Sequence, residues 1–454
     1  MNSINSRPSA LPCRDLRCFS LLAAGALIPS LVLLVVVNQF AVDIPIWDDY
    51  DIFLKYLNNT GGARWAVAFI PHNEHRVVFE RFCAELQYQA TGQINFRQLA
   101  IFGNLALFVI LLNHAYLYFR KELPWLLFLP IPLLLLNFVQ WHNTVWATGS
   151  LQHNYVLCFA LLSLTLSGSK RSSLYLLSLL LAALAALTSG SGFFLFFIII
   201  GALILDGRSA ATESGVRNLR IAQTSWKRVI LAICVMACTL TVCFVNFEIK
   251  DTRASVGFVQ LMSESSAIIS YFFAFLGSYL QVFRASLIGG AGTVVVVVYL
   301  AFQGGLFRNP PLCRFLLFIV FSALAVTYHR YQLGADQAMS SRYTVYSTQV
   351  LIVLYILLVG VIAKGNIIQS RHLKAAAGFM FILALGFYAY SISIGVPKLM
   401  EIHGKLVNGM AVWQSGGGTG LYHDPTQYTR IEGILRESIR LGRYSPPDRP
   451  PASP

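Results

Sequence analysis

The chain has 454 residues, of which 56% are apolar and only 12% charged, with a net charge of +14. Soluble proteins carry about a quarter charged residues, so a soluble enzyme, a disordered chain and a secreted disulfide scaffold are all excluded. The apolar runs are continuous rather than alternating over about ten residues, which also excludes an outer-membrane barrel.

The expected fold is an all-α polytopic membrane protein with about 11 transmembrane helices, or twelve with some loops inverted. The surplus of 34 Lys+Arg over 20 Asp+Glu fits basic cytoplasmic loops. No nucleic-acid-binding motif appears, so no nucleic-acid partner is expected. Eight cysteines, at 13, 18, 83, 158, 234, 238, 243 and 313, show neither a disulfide framework nor zinc-ligand spacing.

Residues 1–18, with Arg7, Arg14 and Arg17, read as a cytoplasmic tail. The apolar run 19–42 is too long for a signal-peptide core and reads as an uncleaved first span. Residues 43–97 form a long extracytoplasmic loop with interfacial helices. Spans follow at 98–118, 124–139, 153–168, 173–189, 191–206, 228–247, 286–305, 315–329, 345–363 and 375–395. Arg120-Lys121, Lys170-Arg171 and the basic segment 207–227 then fall in the cytoplasm, and 140–152 outside. Residues 259–283, which include Glu264, are read as not crossing. Only then do Arg308 and Arg314, and also Lys364, Arg371 and Lys374, lie inside.

These spans make residues 19–395 the membrane domain, followed by a soluble extracytoplasmic tail, 396–454. Within the tail, 426–442 can form an amphipathic helix with Ile431, Ile434, Leu435, Ile439 and Leu441 near one face, and 446–454 read as disordered. No internal repeat is evident.

Carboxylates are scarce in the spans and crowd the first loop, where Asp43, Asp48, Asp49, Asp51, Glu74, Glu80 and Glu85 lie. Trp47-Asp48-Asp49-Tyr50-Asp51 follows the first span directly. A carboxylate at that depth can act as general base on an acceptor hydroxyl, or hold a divalent cation (Mg or Mn) against phosphate. The plainer reading is a hydrated loop start.

His72-Asn73-Glu74-His75-Arg76 is expected to open a helix running to about Gly92, with Asn73 as N-cap and Val78, Phe82 and Leu86 in an apolar row. His75 and Arg76 in its first turn suit an anion; the alternative is an interfacial helix with solvated charges. A zinc site from His72 and His75 is the weaker reading.

The segment His329-Arg330-Tyr331, Asp336 and Ser341-Arg342-Tyr343 offers Arg342 for phosphate and Tyr343 as an amphipathic anchor, or ordinary interface anchoring. Gln140-Trp141-His142-Asn143, Trp146 and Gln152-His153-Asn154 suit sugar binding as well as an aromatic belt. Asn58-Asn59-Thr60 matches a glycosylation sequon.

A first span followed by a long external loop opening on an acidic pair, then many spans, resembles the C-type glycosyltransferase superfamily. Asp48-Asp49-Tyr50, Asn73-Glu74-His75-Arg76 and Ser341-Arg342-Tyr343 are similar to motifs of poorly characterised bacterial multispanning proteins of that type. The resemblance covers 15–400 in architecture and a handful of positions in motif. It implies an enzyme of the bacterial cytoplasmic membrane that moves a sugar from a polyprenyl-phosphate donor to an extracytoplasmic glycan or lipid acceptor. Asp48 or Asp49 would be the catalytic or metal-binding carboxylate. His75, Arg76 and Arg342 would contact the donor phosphate, with Glu74, Trp141, Asn143 and Tyr343 as sugar-binding candidates. The tail, at about 59 residues, departs from the superfamily's folded extracytoplasmic domains. The rival expectations are a flippase or transporter of lipid-linked sugar, and an O-antigen-type polymerase or ligase.

Overall fold

In the computed structural model, residues 16–59, 64–72, 76–212, 216–245, 262–364, 370–417 and 420–448 are described. Among them every regular element is helical, and seven helices are long and apolar enough to cross a membrane. These are Leu22–Phe40, Phe96–Phe119, Trp226–Phe244, Phe283–Phe302, Pro310–Leu333, Thr344–Ala363 and Lys374–Gln414. Each contains or overlaps a span expected from hydropathy.

Shorter apolar helices occupy Trp125–Leu135, Ser172–Thr188, Gly190–Leu205 and Ser265–Leu276. The expected span at 124–139 is a broken element: a 3₁₀ turn, Trp125–Phe128, hands over to Pro130–Leu135. Pro130 and Pro132 account for the break, since neither has an N–H to give the preceding turn. At 259–283 the longest described helix has 12 residues, Ser265–Leu276, about 18 Å long and short of a 30 Å hydrocarbon core, and a 3₁₀ turn, Ser278–Leu280, follows it.

Leu27, Ile28, Leu31 and Val35 on the first helix, and Ile288, Val295 and Phe302 on Phe283–Phe302, are exposed, as side chains facing lipid would be. The buried core is mostly Leu, Ile, Val, Phe and Tyr, with hydroxylated residues at some helix contacts. Ser163 and Ser178 each donate to the other's carbonyl, at 2.8 and 2.9 Å, clamping helices Tyr155–Ser167 and Ser172–Thr188. Such interhelical bonds contribute about 0.6–2 kcal/mol in a membrane. Gly103 lies so close to the π-turn Ser150–Asn154 that a Cβ would fall 2.1 Å from Ser150 Oγ.

The boundary expected at 395/396 is not a break. One helix of 45 residues, Ser370–Gln414, runs straight through it. At about 67 Å it is twice the span of a bilayer core, and beyond Pro397 its surface becomes polar, with Glu401 bonded to Lys398 and Lys405. After Gly416, at φ +92, the chain returns, and Gly409 and Gly420 touch backbone to backbone. The tail is therefore packed on the first loop rather than standing apart.

Helix Tyr428–Arg440 buries Ile431 and Leu435, as its periodicity predicts. It is fastened by Arg430 to Asp51 (Nη2–Oδ2 2.9 Å), and by Asn58, which donates to Ile434 O and accepts from Ser438 Oγ. Both ends of the Asn58 amide are thus spent on packing, which corrects the sequon reading; Thr60 lies outside the described residues. Residues 446–448 are irregular but packed, with Gln414 Nε2 donating to Pro447 O.

Candidate functional site at the end of the first span

The seven first-loop acids separate once their partners are traced. Asp43 accepts from Phe96 N (2.8 Å) and Asn95 Nδ2 (2.9 Å), and Asn95 Oδ1 in turn accepts from Gln98 N. Together they cap helix Phe96–Phe119. Burial raises the Asp43 carboxyl to about 6, against the pull of the Phe96 N–H. Asp51 is bound to Arg430, and Glu85 to Arg64, Tyr56 and Gln89. Glu80 is buried with no partner for either oxygen, and burial raises its carboxyl to about 8. Glu74, with its neighbours Asn73 and His75, lies outside the described residues.

The acidic pair splits in two. Asp49 is fully buried. Its Oδ2 accepts from Ile46 N (2.9 Å), and its Oδ1 from Thr148 N (3.0 Å) and Thr148 Oγ1 (2.6 Å). Burial still dominates and lifts the Asp49 carboxyl to about 7, with the neighbouring Asp48 charge adding to it. Asp49 is a buried tie between the first loop and residues 146–148.

The Asp48 side chain is 39% exposed and lies 3.3 Å from His72 Nε2. Burial alone would raise its carboxyl. The hydrogen bond and charge of His72, with the charges of Arg342 and His423, outweigh that and hold it below the usual carboxylate range. Asp48 is therefore an ionised, water-facing carboxylate in a cationic surround.

Residue 47 is held in the left-handed region (φ +45), a conformation costing about 1–3 kcal/mol for a bulky side chain. The next residues enter the π-turn Tyr50–Leu54. A second π-turn, Ser150–Asn154, follows Thr148 directly, so both segments joined through Asp49 carry the widened turns often found at functional sites.

The Trp47 ring makes the wall. It lies edge-on to His142 and Trp146, at 4.7 and 5.4 Å between centroids, and stacks on Tyr422 at 5.7 Å. Trp141 stacks on His142 at 4.0 Å. Asn143 Nδ2 donates to Arg342 O (3.1 Å), joining the segments 140–154 and 329–343, and the Arg342 guanidinium sits over Tyr343 at 5.1 Å. Tyr343 itself is buried against His153 and Phe275, behind Arg342.

His142 Nε2, Asn143 Oδ1, Ser341 Oγ and Arg342 Nε are all buried without a hydrogen-bond partner. All four belong to the two segments that the Asn143–Arg342 bond joins. Burial, helped by Arg342, pushes the His142 imidazole down to about 3, so it is neutral at physiological pH.

Arg76 takes another role. Its guanidinium donates to the carbonyls of Cys243 and Phe69 and to Val245 O at 2.7 Å, closing the end of helix Val216–Phe244. Helix Val78–Thr91 begins after Val77, at φ +46, later than expected.

Two residues at the site carry no signal in the sequence, Tyr422 and His423. Tyr422 O accepts from Trp47 N at 3.3 Å, and the His423 ring faces Tyr50 at 6.0 Å. Asp424 N donates to His423 Nδ1 at 2.8 Å, fixing the ring against the backbone.

The donor set does not suit the Mg or Mn that the resemblance allows. Among the described residues no three His, Cys, Asp or Glu side chains gather as metal ligands. Asp49 already has a donor on each oxygen, and the groups that act on the Asp48 carboxylate are His72, Arg342 and His423. No family model, curated protein or solved structure matches the chain.

Proposed function

We propose that this chain is a glycosyltransferase of the bacterial cytoplasmic membrane, moving a sugar from a polyprenyl-phosphate donor to an extracytoplasmic glycan or lipid acceptor. In this reading it crosses eleven times with its N-terminus in the cytoplasm: Trp125–Leu135, Tyr155–Ser167, Ser172–Thr188 and Gly190–Leu205 complete the set of seven long helices, and Ser265–Leu276 does not cross. The observation that carries the proposal is Asp48: an ionised, half-exposed carboxylate at the outer end of the first span, beside His72 and within the field of Arg342 and His423.

The acceptor hydroxyl gives its proton to Asp48 as its oxygen bonds to the anomeric carbon. The bond from that carbon to the lipid phosphate breaks, and its electron pair leaves on the phosphate. Arg342 stabilises this added negative charge. Trp141 and Asn143 line the approach of the sugar, Tyr343 backs Arg342, and Asp49 positions Asp48 through the loop it anchors. Glu74 and His75 remain candidates for sugar and phosphate. The same arrangement runs against an ion-coupled transporter, which keeps its titratable groups at mid-depth.

Sugar transfer in membranes carrying Asp48→Asn tests the proposal. Loss of transfer at normal abundance supports it, and full activity removes Asp48 from the chemistry.

A further inference from the structure

Helix Phe96–Phe119 has 24 residues and so separates two ends by about 36 Å. Its first turn is the Asp43 cap near the candidate site. At its far end, on the opposite membrane face, lies a cavity of about 920 Å³ between this helix and helices Tyr155–Ser167 and Pro310–Arg330.

Four cations ring the mouth: Arg120, Lys121, Lys170 and Arg314. Among the described residues lining it there is no Asp or Glu. The rim is built rather than incidental, since Arg228 donates to Ser169 O (2.7 Å) and Lys170 O (2.9 Å) and stacks over Tyr175. The start of helix Pro310–Arg330 also opens there, adding the positive end of its dipole.

Beneath the cations the wall turns apolar, through Leu162 and Leu166. On the outer side Leu112 and Tyr116 are 70% and 52% exposed, so the cavity opens sideways toward lipid. Asn113 also lines it, about 10 Å below Arg120 along the helix. This side chain is buried, with Oδ1 accepting from Thr165 Oγ1 and Nδ2 without a partner. The order from rim to floor is positive charge, one buried N–H donor, then hydrocarbon.

We propose that this cavity binds an anionic glycerophospholipid of the membrane leaflet opposite the Asp48 site. The phosphate meets the four cations, an ester carbonyl accepts from Asn113 Nδ2, and an acyl chain runs along Leu162 and Leu166 toward the open side. Basic pockets between transmembrane helices suit anionic head groups, and the buried amide sets the depth of the glycerol. The proposal does not depend on the transfer reaction.

Native mass spectrometry of the full chain in detergent tests it, with phosphatidylglycerol and phosphatidylcholine of matched chains titrated in turn. The expected result is phosphatidylglycerol retained about tenfold over phosphatidylcholine, from a favourable term at each basic residue. Arg120→Gln/Lys170→Gln/Arg314→Gln should abolish that preference, and excess glycerol 3-phosphate should not displace the lipid. Should the triple variant fail to fold, Arg120→Gln and Lys170→Gln singly should each weaken the preference. Equal retention of the two lipids by the wild type overturns the proposal. So does a preference that survives the substitutions, or displacement by glycerol 3-phosphate, which would mark a soluble-phosphate site.

Discussion

Asp48 and Asp49 are adjacent acids with opposite duties, and replacing each by Asn should separate chemistry from folding. The Asp48 carboxylate pairs with His72 at 3.3 Å, and its side chain is 39% exposed. Exposed pairs of that kind contribute about 0–1 kcal/mol, so Asp48→Asn should melt close to wild type in detergent. Loss of a general base should lower transfer about 10²–10⁴-fold.

Asp49→Asn turns an NH₂ group toward one of the donors now shared by the two oxygens, Ile46 N or Thr148. One buried donor loses its acceptor, at a cost of about 1–3 kcal/mol. The variant should be less abundant and melt lower, while the folded fraction loses far less transfer than Asp48→Asn does. The pH dependence has a sign of its own. The Asp49 carboxyl lies near 3.8 in an unperturbed chain and at about 7 in the folded one. Between those values the folded state binds more protons, so this group's contribution to stability falls as pH rises through the interval. The melting temperature of Asp49→Asn should therefore fall less between pH 5 and 8 than that of the wild type. The reasoning is refuted if Asp48→Asn transfers normally, or if Asp49→Asn melts like wild type yet is inactive.

The same logic makes Glu80→Gln, at a buried carboxyl raised from 4.5 to about 8, melt like wild type near pH 4 and flatten the loss that wild type shows between pH 5 and 8. Equal slopes in detergent melts would contradict it. Arg342→Lys keeps the charge but loses the planar fork, and should lower transfer at saturating donor about as far as Arg342→Ala, measured as kcat. Arg430→Ala frees Asp51 and loosens the returning tail; limited proteolysis should then cut between 415 and 430 sooner than in wild type, with transfer falling as His423 leaves Asp48.

Hydropathy reveals the long helices because an apolar run needs no partner to be recognised, and helix Tyr428–Arg440 is legible for its clean amphipathic period. The break at 124–139 could have been anticipated from Pro130 and Pro132, since two prolines in one turn remove two N–H donors. What composition could not convey is which acid is spent on packing. Asp48 and Asp49 are adjacent and alike in type, and only their partners tell them apart: His72 for one, Ile46 N and Thr148 for the other. Arg76 beside His75 reads as an anion ligand, but its guanidinium donates to carbonyls about 170 residues away in sequence. Tyr422 and His423 reach the site only because Ser370–Gln414 continues as one helix and the chain doubles back at Gly416, a long-range closure with no local signature.

Purified chain in sealed vesicles, given a labelled polyprenyl-phosphate sugar on one face and an acceptor on the Asp48 side, addresses the central claim most directly. The account predicts that label appears covalently on the acceptor with wild type and not with Asp48→Asn. Label that crosses the bilayer still joined to its polyprenyl phosphate, in wild type and Asp48→Asn alike, would show lipid movement without bond transfer and contradict it.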